Sequence, residues 1–114
     1  MASTATDRFF DDLRRRDHEP ALRRARGTVR FDLHHQRDTD HWLVAIDRGN
    51  LTVRRGLGQD PETVIRTDRE LFDRIVTGRA NAMASALRGL LGFTGDPELA
   101  VLVQRLFATG GRSA

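Results

Sequence analysis

The chain contains no cysteine, no tyrosine and no lysine. Without cysteine there is no disulfide framework, no thiolate metal site and no thiol nucleophile. Without lysine, all 19 basic side chains are arginine, against 16 acidic ones, for a formal net charge of +3. Little then titrates between histidine near pH ~6.5 and arginine above ~12. The sequence pI of about 11.1 therefore overstates the basic character at neutral pH. Serine is scarce: Ser3 and Ser113 lie near the ends, and Ser85 sits in Met-Ala-Ser-Ala-Leu without the glycines of a nucleophile elbow. No apolar run approaches the ~20 residues of a membrane span. The start, Met-Ala-Ser-Thr-Ala-Thr-Asp, lacks the basic and apolar regions of a signal peptide. These absences read as a soluble cytoplasmic protein with little to catalyse with.

The 114 residues suit one domain, long enough to bury about two-thirds of its unfolded surface. Residues 1–6 and 109–114 are small and polar and read as frayed ends around a single domain at 7–108. Residues 7–16 predict a helix with Phe9, Phe10 and Leu13 on its apolar stripe, and Asp11 and Asp12 four positions ahead of Arg15 and Arg16. A short helical turn is expected after Pro20. From Gly27 the period changes to two. Val29, Phe31 and Leu33 alternate with polar residues, and Trp42, Val44 and Ile46 do the same. Gly49-Asn50 reads as a hairpin loop before Leu51 and Val53. A fourth strand is expected at 62–67.

Helical signals then return. Thr67-Asp68-Arg69-Glu70 has the form of a capping box, ahead of Leu71, Phe72, Ile75 and Val76. Asn81 is expected to cap a further helix with Met83, Ala86 and Leu87 inward. Leu90–Thr94 reads as a fifth strand. Asp96-Pro97-Glu98 opens a last helix with Leu99, Leu102, Val103 and Leu106 inward. The implied class is α+β: a mixed sheet with one wet face and helices over the other.

Candidate chemistry is thin. His34, His35 and His41 lie near a hairpin with Asp38 and Asp40, but adjacent strand residues point to opposite faces, so only one of His34 and His35 can join His41. Solvated hairpin polarity is the better reading. Gly56-Leu57-Gly58 lacks the remaining residues of a phosphate loop and reads as a turn. Arg14, Arg15, Arg16, Arg23, Arg24 and Arg26 are interleaved with acids and have no alternating aromatics, which argues for salt-paired surface over nucleic acid. No cofactor and no metal site is indicated, and no membrane span; transient membrane contact is left open. The apolar stripes fit a packed core and a ligand cavity equally well.

The C-terminal half resembles the sterol carrier protein 2 family. The resemblance is carried by TDRELFDRIVTGRANA (67–82) and RGLLGFTGDPELA (88–100), with Thr77-Gly78-Arg79, Asn81, Gly89 and Thr94-Gly95-Asp96 in the family's order and spacing. It implies a stand-alone member without catalysis, and the all-arginine basicity with frequent alanine and glycine suggests a bacterial type. The expected fold is two-layered, a five-stranded mixed sheet with helices on one face and an apolar cavity between the layers. The implied partner is a fatty acid, fatty acyl-CoA or other apolar small molecule. The implied lining is Val44, Ile46, Leu51, Val53, Phe72, Ile75, Met83, Leu87, Leu91, Phe93, Leu99 and Leu102. Ala86 and Leu87 stand where better-known carriers place two phenylalanines, which implies a more open cavity edge. The alternative is an interaction module of the same fold with a collapsed cavity; nucleic-acid binding through the N-terminal arginines is weaker.

Overall fold

The computed structural model describes residues 4–110. Four helices and five strands follow in the order α1 (Ala5–Arg16), β1 (Arg26–His35), β2 (Asp38–Asp47), β3 (Asn50–Arg55), β4 (Thr63–Asp68), α2 (Arg69–Val76), α3 (Ala82–Leu87), β5 (Leu91–Gly95) and α4 (Pro97–Gly110). A short 3-10 turn at Pro20–Leu22 precedes β1. The sheet order is β3-β2-β1-β4-β5. β1 and β4 run parallel and the other neighbours antiparallel, so the sheet is mixed as expected; the parallel pair is joined through β2 and β3, while β5, the strand returning after the helices, pairs antiparallel with β4.

Register follows from the alternation of apolar residues. Phe31 lies between Trp42 and Ile65, and Val44 between Val29 and Val53. All six side chains are buried on the helical side of the sheet. Arg30, Asp32 and His34 alternate with them and take the other face. At the β2–β3 turn the expected loop shifts by one residue. Arg48 and Gly49 carry the positive φ values, 53° and 91°, while Asn50 pairs with Asp47. Asn50 also bridges to His18, which draws it into the ladder. At the far edge Gly95 has φ +98° opposite Thr63, and a Cβ there would run into the Glu62 carbonyl. Only glycine meets both demands.

The helix caps differ from expectation in one place. Thr67 stays in β4 and donates its hydroxyl to the Leu90 carbonyl at 2.8 Å. Asp68 takes the cap position of α2 without a side-chain cap bond, so the expected Thr67–Glu70 box does not form. A long-range strand-to-turn bond uses the threonine instead. A capping box forms at α1, where Thr4 accepts from the Asp7 amide and Asp7 accepts from the Thr4 amide. The ends are expected to fray at 1–6 and 109–114, but α1 begins at Ala5 under the Thr4 cap and α4 runs to Gly110; residues 1–3 and 111–114 lie outside the described residues. Asp96 caps α4 as expected, accepting from the Glu98 and Leu99 amides.

Two sets of contacts lock α1 onto the fold. Phe9, Phe10 and Leu13 are buried, and Phe10 stacks on Trp42 at 4.4 Å and on Phe72 at 5.8 Å. At its N-terminus, the Thr6 amide and hydroxyl donate to Asp73 at 2.8 and 2.5 Å. Arg69 donates to Asp40 and to Thr4 at 3.1 and 3.0 Å. Along its outer side Asp12 pairs with Arg16 as predicted, whereas Asp11 meets Arg14 and not Arg15.

Removing the Phe10 ring should cost about 3–5 kcal/mol, because Phe10→Ala leaves a cavity between two stacked partners. Asp73→Ala should cost about 1–3 kcal/mol by orphaning two donors of Thr6. Urea unfolding of both variants checks these values, and a Phe10→Ala loss below that of Asp73→Ala would contradict the ranking.

Candidate functional site

Between α3, β5 and α4 the two layers do not close. A cleft of ≈ 50 Å³ opens there, lined by Ile65, Ala82, Met83, Ala86, Leu91, Phe93, Ala100, Val101, Gln104 and Phe107. Gln104 is its one polar side chain. Three of the lining positions are alanine, which keeps the helices from filling the gap with their own side chains. The inner wall is Phe107, buried and 5.5 Å from Phe72 and 5.9 Å from Phe9 by ring centroids.

The position of α3 is set by polar contacts at its ends. Gly78, at φ +79°, ends the turn after α2. Asn81 then caps α3 by accepting from the Ala84 amide at 2.8 Å. Ser85 donates its hydroxyl to the Asn81 carbonyl at 2.7 Å, so this serine serves the helix. The Leu90 amide returns to the Ser85 carbonyl, and the Leu90 carbonyl takes the Thr67 hydroxyl. Within α3 only Ser85 is fully buried, with Ala82 and Ala86 half-buried. Of the residues expected inward, Met83 is 46% exposed at the cleft it lines, and Leu87 points out at 83% exposed. A helix of six residues makes fewer than two turns, too few for periodicity to fix its face. The Asn81 cap and the Leu90 bond set its rotation instead.

The twelve residues implied by the family resemblance therefore separate. Val44, Ile46, Leu51, Val53, Phe72, Ile75 and Leu99 are buried in the filled core. Leu102 is half-buried against it. Met83, Leu91 and Phe93 line the cleft, and Leu87 stands outside the lining. Sequence reasoning missed Ile65, Ala82, Ala100, Val101, Gln104 and Phe107. On α4 the signal was present: Ala100, Gln104 and Phe107 recur at four- and three-residue spacing, one helix face beside the stripe that was read.

The other sheet face carries the polar groups. Asp32 is buried beside Arg30, which donates to it at 2.9 and 3.2 Å, and His41, whose Nδ1 donates at 2.7 Å. Burial pushes the Asp32 pKa up, but these hydrogen bonds and the charges of Arg30 and His41 outweigh it, and the carboxyl is held below its ordinary value. His34 turns to Thr39 at 2.9 Å instead of joining His41. Among the described residues, no three His, Asp or Glu side chains gather as a metal site. Of the N-terminal arginines, Arg16 bonds both Asp12 and Glu19, and Arg26 lies 3.5 Å from Asp47. No described helix is long and apolar enough to cross a membrane.

The model of the SCP-2 sterol transfer family matches residues 10–108. Several solved structures share the fold. Sterol carrier protein 2 from Yarrowia lipolytica, in its apo form, is 18% identical, with a TM-score of 0.77 over 100% of this chain and 98% of that one. The sterol carrier protein domain 2 of Helicoverpa armigera is 16% identical, with a TM-score of 0.76 over 96% and 95%. The palmitated SCP2L2 from Aedes aegypti is 16% identical, with a TM-score of 0.73 over 88% and 91%. No curated protein matches the chain.

The Asp32 cluster sets a pH dependence with a definite sign. A carboxyl whose folded pKa is depressed stabilises the fold above its unfolded value, about 3.9, and that contribution is lost as the pH falls through the folded value. The stability gap between the wild type and Asp32→Asn should therefore be full at neutral pH and shrink below about pH 4. Urea midpoints across that range check it, and a gap that widens on acidification would reverse the assignment.

Proposed function

Because the chain belongs to the SCP-2 sterol transfer family, we propose that it is a non-catalytic cytoplasmic lipid carrier whose ligand enters between α3, β5 and α4. The observation that carries this reading is the apolar cleft at that place, lined by nine carbon-only side chains or thioether and a single amide, Gln104. Such a surface attracts an acyl chain or a fused ring system. Each buried methylene contributes ~0.8 kcal/mol, so about twelve would gain about 10 kcal/mol before ordering costs.

At ≈ 50 Å³ the cleft is far smaller than the ~300–1,000 Å³ of typical small-molecule sites. Uptake therefore requires the layers to part. α3 is the element suited to move, since it buries one serine and parts of two alanines. Met83, Leu91 and Phe93 would meet the ligand first. Ile75, Phe72, Leu99 and Leu102 would flank a chain that penetrates further, and Val44, Ile46, Leu51 and Val53 would be reached last. The same small volume supports a second reading, an interaction module of this fold whose cavity has collapsed. Fatty acid, fatty acyl-CoA and other apolar molecules remain the ligand classes of the first.

Titration with a fluorescent fatty acid separates the two readings. The wild type should bind it, and native mass spectrometry should find acyl or polycyclic ligands in lipid extracts of the purified protein. Ala86→Trp, which fills the cleft with an indole, should weaken binding at least about tenfold while leaving the circular dichroism spectrum unchanged. No binding by the wild type, or equal binding by a folded Ala86→Trp, would overturn entry at this cleft.

A further inference from the structure

The sheet has two edges, β3 and β5, and the fold treats them differently. The chain between α1 and β1 runs along β3. There the Leu51 amide donates to the Asp17 carbonyl at 2.8 Å, the Glu19 amide donates to the Gly49 carbonyl at 2.7 Å, and His18 bridges to Asn50. No such segment covers β5. Among the described residues, no backbone hydrogen bond from outside the ladder reaches Leu91, Phe93 or Gly95.

These three residues carry the outward groups of the edge. The Asp96 amide donates to the Glu62 carbonyl at 2.9 Å, one position beyond the Gly95–Thr63 pair. The bonded pairs of the β4–β5 ladder are therefore Thr94–Val64 and Gly92–Arg66. Alternation turns the N–H and C=O groups of Leu91, Phe93 and Gly95 away from β4. Exposed edges are ordinarily guarded by charge, proline or a covering segment. β5, Leu-Gly-Phe-Thr-Gly, has neither a charge nor a proline. Its Phe93 is 43% exposed, whereas the other phenylalanines are buried. Met83 and Val101, also exposed, line the cleft beside it.

The symmetry of this edge selects what fits it. The outward groups sit at 91, 93 and 95, so a second β5 laid antiparallel about Phe93 meets them in register. Phe93 would pair with Phe93 of the second copy, Leu91 with its Gly95, and Gly92 with its Thr94. The glycines leave no side chain in the way. Charge matches as well. Arg88 stands before the strand, Asp96 and Glu98 follow it, and all three are exposed. Antiparallel pairing sets the Arg88 end of each copy against the Asp96–Glu98 end of the other. Asp68, exposed beside Leu90 across the ladder, shares the Arg88 end. Arg66 offsets it, with a guanidinium nitrogen 3.7 Å from the place of a Gly92 Cβ.

We propose that two copies of the chain join through β5 into one continuous sheet. The two clefts then lie side by side, with Phe93 of each copy bordering the cleft of the other. This goes beyond the carrier reading and does not depend on it. One short strand per copy makes a small interface, so dimer and monomer should exchange, with a Kd of roughly 1–100 μM.

Sedimentation velocity tests the pairing, with circular dichroism to show each variant folded. The wild type should pass from monomer to dimer between about 1 and 500 μM. Arg88→Glu should weaken association at least about tenfold, and adding Glu98→Arg should restore it to within about threefold, as a contact between copies requires. Thr94→Lys, which guards the edge with a charge, should weaken it too. The chain has no cysteine, so Phe93→Cys carries a single thiol that reports the register. The central Cα atoms would lie roughly 5.5 Å apart, within disulfide reach. Phe93→Cys should oxidise to a covalent dimer at least about tenfold faster than Thr52→Cys on β3. A wild type that stays monomeric at about 500 μM, a dimer that Arg88→Glu and Thr94→Lys leave unchanged, or equal oxidation of the two thiols would refute the proposal.

Discussion

Phe10 stands between Trp42 and Phe72, its ring within 8° of parallel to each. The edge of Phe31 meets it at 5.3 Å. These four side chains come from α1, β1, β2 and α2, so one ring joins the first helix to the sheet and to the second helix. Phe9 and Phe107 extend the cluster to α4. Aromatic rings bury large areas and prefer stacked or edge-on pairs, so such a cluster fills its space and orients its neighbours. The polar contacts of Thr6 with Asp73 and of Arg69 with Asp40 close the same region from the rim.

That cluster divides the interlayer space into two parts. Under α1 and α2 buried rings meet one another across the layers. Beyond Phe107 the helical cover consists of short side chains on α3 and one face of α4, and the packing stops short of closure. The rigid part holds the fold while the other part keeps an apolar opening. Phe93, the one phenylalanine that stands outside the aromatic cluster, lies at that opening. A family of lipid carriers needs both properties in one small domain: a frame that survives without ligand and a seam that can part.

Much of this was legible before any coordinates. Alternation at Val29, Phe31 and Leu33, and at Trp42, Val44 and Ile46, marked the buried sheet face because strand side chains alternate strictly. Asn81 and Asp96 marked helix starts because an acceptor side chain is needed there. The order of Thr-Gly turns and apolar stripes pointed to the family. Three local signals misled. Thr67 had the pattern of a cap but was claimed by a carbonyl of the turn after α3, 23 positions away. Gly49-Asn50 had the composition of a loop, but a bridge to His18 moved the turn back by one residue. Met83 and Leu87 looked like core, but α3 is too short to be oriented by its own periodicity.

The sequence by itself determined the class of fold, the element order and the apolar face of the sheet. These follow from side-chain type and spacing, which act within a few residues. Only the tertiary structure decided where the two layers touch and where they gape. Alternation says which way a side chain points but not how far away the opposite layer lies. That distance depends on the sizes of residues remote in the chain, here rings against rings under α1 and alanines against alanines under α3.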